Sequence, residues 1–206
     1  MERKEAIAKL EKLKGRDLHD LAREFGMAVS PTSRPVNKGW AGHVLERYLG
    51  LQLNSAQSPN FGSWELKSVP LNHRRDGSLG FKETMAITMI DPYHVARTPF
   101  EKSHLLSKLR KAVIVARVVG EKFSDPTHIH SVIEIDLLGE TYETVRRDYE
   151  LVQECLNDPS RGFSALTGRM GVYIQPRTKG AGHGSVSRAF YARPSFLSQF
   201  IDLSHA

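Results

Sequence analysis

Ser58-Pro59-Asn60-Phe61-Gly62-Ser63-Trp64-Glu65-Leu66-Lys67 is the stretch on which the reading of this 206-residue chain turns. If Trp64 to Val69 forms a strand, side chains alternate, so Glu65 and Lys67 share one face and Leu66 points to the other. A carboxylate beside an ammonium suits metal-assisted hydrolysis. The carboxylate holds a hard divalent cation, and the lysine orients an attacking water and helps to deprotonate it. The tripeptide alone is weak evidence. Glu2-Arg3-Lys4 has the same pattern at a terminus with no such context, and an exposed ion pair on an edge strand would read identically.

Around this stretch the hydrophobic pattern predicts a mixed α/β domain. Ile7, Leu10 and Leu13 mark a charged amphipathic helix over Glu5 to Lys14. Leu18, Leu21 and Phe25 mark a second, with Asp17 as N-cap and Gly26 as stop. After a Pro-, Ser- and Asn-rich loop from Ser30 to Lys38, Trp40, Val44, Leu45, Tyr48 and Leu49 predict a third, ended by Gly50. Asn54 to Asn60 reads as another loop. Downstream, Asp76-Gly77 signals a hairpin turn, and Phe81 to Ile90 alternates as one strand. Pro99 to Lys111 reads as a helix, and Ala112 to Val119 as a central strand covered on both faces, interrupted by Arg117. A strand over His128 to Leu138 precedes a helix over Glu140 to Leu156, followed by short strands at Met170 to Gln175 and Ala189 to Ala192 and a terminal helix over Ser195 to Leu203. No repeat or linker divides the chain, so a single domain is expected: a helical N-terminal arm (1–37), a catalytic core (38–159) and a basic C-terminal part (160–206).

Composition narrows the class. Hydrophobic residues make up 40% and charged residues 25%, as in ordinary globular proteins. The lone cysteine, Cys155, has no disulfide partner within the chain and reads as a buried core thiol. No apolar run approaches a membrane span and the N-terminus has no hydrophobic signal core. An intracellular, cytoplasmic protein without membrane contact is expected. The net charge of +6 is uneven: from Ser160 onward six basic residues face Asp202 alone, leaving a net +1 for the other 159 residues. Such a local excess fits a phosphate-binding surface, or simply a solvated basic face. His128, His130, Glu134 and Asp136 share a strand face, which suits ordinary solvation better than a metal site.

Several blocks in order resemble the MutH family of endonucleases, which contains the mismatch-repair nicking enzyme and related type II restriction enzymes cutting at GATC. The blocks are Lys38 to Gly50, then Asn60-Phe61 with Trp64 to Leu71, then Thr98-Pro99-Phe100-Glu101-Lys102-Ser103-His104 with Lys108 to Lys111. Tyr173 to Lys179 and Ala189-Phe190-Tyr191 complete the series. The resemblance spans about Lys38 to Leu203. It implies a restriction-endonuclease-like (PD-(D/E)xK) α/β fold, with a central mixed sheet flanked by helices, and Mg²⁺-dependent hydrolysis of double-stranded DNA, with Mn²⁺ as a substitute. By position it makes Glu65 a metal ligand with the Leu66 carbonyl beside it, Lys67 the residue that handles water, Glu46 an auxiliary acid and Lys108 an accessory lysine. Arg177 and Lys179 match DNA-contacting positions.

The departure from the family is Asn60, which stands where the family has the first aspartate and metal ligand of the motif. An amide oxygen brings no charge to a hard cation, so weak Mg²⁺ binding and slow or absent cleavage are expected. Two explanations stand: deliberate replacement to trap an uncut DNA complex, or natural loss of the ligand. The otherwise intact motif favours the first. DNA reading is assigned to the basic C-terminal part. There the Gly180-Ala181-Gly182-His183-Gly184 stretch allows close backbone approach, and Ser185, Arg188 and Tyr191 add base or phosphate contacts. This stretch differs from that of the repair nickase, so the preferred expectation is a type II restriction enzyme. The alternatives are a methylation-sensitive nickase partnered by a mismatch-repair ATPase, and a DNA-binding module without catalysis. A monomer or weak dimer in a bacterial cell is expected.

Overall fold

The computed structural model describes residues 1–29, 39–51, 59–180 and 186–203. The expected loops at 30–38 and 54–58, and the glycine-rich segment from 181, lie outside the described residues. The chain forms two compact units interleaved along the sequence: 1–83 with 112–134 and 203–206, and 84–111 with 135–202. No helix among the described residues is long and apolar enough to cross a membrane.

The first unit is built on a four-stranded mixed sheet in the order β2-β1-β4-β5, with β1 (Glu65–His73), β2 (Leu79–Phe81), β4 (Lys111–Val119) and β5 (Thr127–Asp136). β1 and β4 run parallel, Glu65 opposite Ala112 and Pro70 opposite Arg117. β2 returns antiparallel to β1 through the turn at Asp76-Gly77, where the Asp76 carboxylate accepts from the Ser78 N–H at 3.0 Å. Helices α1 (Arg3–Glu11), α2 (Leu18–Glu24) and α3 (Trp40–Tyr48) bury their apolar stripes, Leu10, Leu18, Leu21, Trp40, Val44 and Leu45 among them, in a core shared with Leu66, Val113 and Val115. These sheet residues are the ones that alternation assigns to the face opposite Glu65 and Lys67. Asp17 caps α2 as the sequence predicts, accepting from the His19 N–H, and its carboxylate also accepts from the Thr127 N–H at 2.9 Å, tying α2 to β5.

The second unit holds an antiparallel sheet in the order β3-β7-β6, from β3 (Met85–Met89), β6 (Ile174–Thr178) and β7 (Arg188–Ala192). Its helices include α4 (Pro92–Arg97), α5 (His104–Leu109), the long α6 (Gly139–Asn157) and α7 (Pro194–Leu197). α6 buries Val145, Asp148, Tyr149, Val152 and Cys155, so Cys155 is the core thiol the sequence suggests.

Four expected elements change. The alternating run Phe81 to Ile90 is two strands rather than one: β2 belongs to the first sheet and β3 to the second. Alternation reports two distinct faces and not which sheet receives them. The expected helix from Pro99 is a single 3₁₀ turn, Phe100–Lys102, followed by α5 with Ser103 as its N-cap, and Lys111 already opens β4. The Ser103 hydroxyl accepts from the Leu106 N–H at 3.1 Å, which fixes the restart. The strand expected at Met170 begins instead at Ile174, because the N–H groups of Val172, Tyr173 and Ile174 all turn onto Asp148. Gly171 makes that turn possible: its φ is +76° and a Cβ there would overlap the Ile174 carbonyl oxygen. The terminal helix is shorter than expected, covering only Pro194–Leu197.

Candidate active site

The turn before β1 builds the site. Phe61 stacks on Trp64 with ring centroids 4.0 Å apart and planes within 4°, and the Trp64 indole N–H donates to the Met1 carbonyl at 3.1 Å. The Phe61 N–H donates to the Trp64 carbonyl at 3.1 Å, and Gly62 takes a φ of +75° that a side chain would resist. This closed turn carries the Asn60 N–H to the Glu65 carboxylate, where it donates to Oε2 at 2.8 Å.

Glu65 opens β1 with only 1% of its side chain exposed. Its Oε1 lies 2.9 Å from Lys67 Nζ, a residue 22% exposed two positions along the same strand face. An ionised carboxylate at such depth requires charge-assisted partners, and Lys67 with the Asn60 N–H supplies them. The Asn60 side-chain amide meanwhile donates to Glu46 Oε1 on α3. Glu46 sits off the buried stripe of Trp40 and Val44 and faces the motif rather than bulk water. Burial pushes its carboxyl above the usual range, and the charge of Glu65 adds to this against the opposing influence of His43, Lys67 and the Asn60 amide. The first unit therefore brings together Glu46, Asn60, Glu65, Leu66 and Lys67.

The donor set is all oxygen: two carboxylates, the Asn60 amide oxygen and the Leu66 backbone carbonyl, a set that fits a hard divalent cation such as Mg²⁺. The charge is lower than a third carboxylate would give. Among the described residues no group of three or more His, Cys, Asp and Glu side chains is arranged to hold a metal. Glu134, on the histidine-bearing strand, instead pairs with Arg3 at 2.7 Å.

The remaining candidates belong to the second unit. Lys108 lies on α5 and is buried. Arg177 and Lys179 are exposed, at and just beyond the end of β6. In the β6–β7 hairpin Gln175 faces Tyr191 and Arg177 faces Ala189, so Arg177 and Tyr191 share a face and the guanidinium carbon stands 5.8 Å from the Tyr191 ring centre. Arg188 points to the opposite face. It donates to the carbonyls of Phe163 and Ser164 at 3.2 and 3.3 Å, a bracing position that its sequence context does not reveal. Gly182, His183 and Ser185 lie outside the described residues.

Comparison with known proteins bears on this geometry. Residues 49–148 match the family model described as DNA mismatch repair enzyme MutH. The matched segment includes Asn60, Glu65, Leu66, Lys67 and Lys108, and excludes Glu46 and the basic C-terminal residues. The chain is 29% identical over 191 residues to a DNA mismatch repair protein MutH of Escherichia coli, covering 91% of this chain and 80% of that protein. It is 25% identical to the protein of that name from Vibrio cholerae, covering 98% and 96%, and 26% identical to that of Haemophilus ducreyi, covering 96% and 92%.

Proposed function

We propose, from the premise that this chain is MutH-like and has the restriction-endonuclease-like fold, that it is a DNA endonuclease acting by hydrolysis of a phosphodiester at the Glu65–Lys67 site. The observation that carries the reading is the convergence of a buried carboxylate, its lysine, the Asn60 turn and Glu46 at the start of a strand in a parallel pair. Mg²⁺, with Mn²⁺ as substitute, would be held by Glu65, the Asn60 amide oxygen and the Leu66 carbonyl, and would supply Lewis-acid stabilisation of charge on the scissile phosphate. Lys67 positions the attacking water. Its oxygen bonds to phosphorus as the bond from phosphorus to the leaving deoxyribose oxygen breaks, and the proton the water loses is balanced by the one the leaving oxygen takes up from solvent. Glu46 anchors the Asn60 side chain and thereby the turn. By the family resemblance Lys108 is an accessory lysine, while Arg177, Lys179 and Tyr191 contact DNA and Arg188 braces the hairpin that carries them.

Two forms of this activity are open to the fold. The first is type II site-specific cleavage, with GATC as the first target to try; it is favoured by the distinct composition of the glycine-rich segment between Lys179 and Arg188. The second is strand nicking in mismatch repair with an ATPase partner, favoured by the names of the relatives. The experiment compares the chain and its Asn60→Asp variant on supercoiled plasmids with and without GATC, in Mg²⁺ and in EDTA. Fixed-position cutting by Asn60→Asp in Mg²⁺ supports the endonuclease. Linear product favours the restriction form, and open circles that require the ATPase favour the repair form. Specific binding with no cleavage by either protein, with or without the ATPase, would replace the enzyme with a DNA-binding module.

A further inference from the structure

Arg117 interrupts the apolar run of β4 and is only 8% exposed. It lies opposite Pro70, five residues along the sheet from the level of Glu65, or about 16 Å at the rise of an extended strand. Its Nε donates to Ser68 Oγ at 3.0 Å, and the guanidinium stands 5.9 Å from the Trp40 ring centre. Among the described residues the two terminal nitrogens have no hydrogen-bond partner and the side chain makes no ion pair. No Asp or Glu occurs in the segments outside the described residues, so no carboxylate side chain of this chain is unaccounted for. A buried guanidinium without a carboxylate is an expensive arrangement. Burial lowers its pKa to about 10, with Glu83 opposing, which leaves it charged at neutral pH.

The guanidinium lines a cavity of about 350 Å³ together with Trp40, Lys82, Glu83, Lys122 and Phe123. This volume falls within the range of small-ligand sites, roughly 300 Å³ and upward. Lys82 and Lys122 are exposed at its rim, and among the described residues neither forms an ion pair. Three cations thus converge on one cavity whose acids, Glu83 and Glu121, do not neutralise them through direct pairs. Terminal guanidinium nitrogens in a fork match the oxygens of a phosphate group.

We propose that this cavity is an oxyanion site, separate from the Glu65 centre, in which Arg117 receives a phosphate group and Lys82 and Lys122 close over it. The phosphate is either free or part of a nucleic-acid backbone. The test is calorimetric titration of the full chain with inorganic phosphate at constant ionic strength in a chloride buffer, with thermal melting alongside. The expected result is saturable one-site binding that raises Tm, is weakened at least tenfold by Arg117→Gln and is unaffected by Lys67→Ala. The paired Lys82→Ala/Lys122→Ala variant is expected to lose about tenfold, and it keeps the proposal testable should Arg117→Gln fail to fold. Absence of saturable binding, or binding that survives in a folded Arg117→Gln protein or in the lysine pair variant, overturns the site. Displacement of bound phosphate by a short duplex supports the site with a nucleic-acid backbone as its source, and failure to displace supports it with free phosphate.

Discussion

Glu65 and Asp148 are both buried carboxylates, 1% and 4% exposed, yet they differ in how many of their partners are side chains. Asp148 accepts three backbone N–H groups, from Val172, Tyr173 and Ile174, each at 2.7 Å. Those donors are fixed by the turn at Gly171 and cannot leave without unfolding the start of β6. Glu65 has one backbone donor, the Asn60 N–H at 2.8 Å, and one side-chain partner, the Lys67 ammonium, while the Asn60 side chain leans on a second acid, Glu46. A side-chain partner can be exchanged for a ligand at the cost of a rotamer change, whereas a backbone partner cannot. Buried charge by itself therefore does not mark a site; replaceable partners do.

The sharpest way to break this contrast is Asp148→Asn. Its amide would face backbone donors with an NH₂ group, and the loss expected is about 3 kcal/mol of folding stability, read from the midpoint of urea unfolding. If stability hardly changes, Asp148 is not the anchor described. Lys67→Ala in an Asn60→Asp background is expected to lower Mg²⁺-dependent cleavage by about 10²-fold or more and also to cost some folding stability, because it leaves the Glu65 carboxylate buried without its ion-pair partner. A large stability loss with modest loss of cleavage would make Lys67 structural, like the partners of Asp148. Asn60→Asp is expected to tighten Mg²⁺ binding about tenfold, or about 1.4 kcal/mol, measured by calorimetry without DNA. Unchanged affinity would remove residue 60 from the ligand set.

Asp17 sharpens the comparison at its weak end. Burial raises its pKa, but the N–H groups of Thr127 and His19 and the His19 ring outweigh it, leaving the net value below the ordinary 3.8. The folded state therefore binds fewer protons than the unfolded chain in this range. The stabilisation is fully present above about pH 4 and is lost as pH falls through the folded-state value. Asp17→Ala is expected to cost about 1 kcal/mol near neutrality and to flatten the acid limb of a stability–pH profile. An unchanged acid limb would show that these backbone donors do not favour the carboxylate.

The shared face of Glu65 and Lys67 is legible from strand alternation because the two are close in sequence, but what singles the tripeptide out from Glu2-Arg3-Lys4 is the family resemblance of the blocks around it. The helical stripes of α1 to α3 and the buried run of β4 were legible for the same local reason. The anchoring role of Asp148 is not legible in the sequence, although the residue lies in helical phase with Val145 and Val152, because its donors come from 24 to 26 residues downstream. α4 escaped because six residues opened by Asp91 and Pro92 give too short a stripe to register. The opposite facing of Arg177 and Arg188 depends on hairpin register, which basic composition does not encode. Arg117 reads in sequence only as an interruption of β4; its cavity is formed by residues spread from Trp40 to Thr127.

The parallel pairing of β1 with β4 also sets a timetable for synthesis. Glu65 emerges from the ribosome 47 residues before Ala112, its neighbour across the sheet, and the first stretch of the second unit, residues 84–111, is made in between. Until β4 is extruded, β1 has no parallel partner and the motif residues lack the sheet that buries them. The nascent chain thus carries the Glu65 motif unassembled through the middle of translation, and the candidate site comes together only when the strand bearing Arg117 closes beside it.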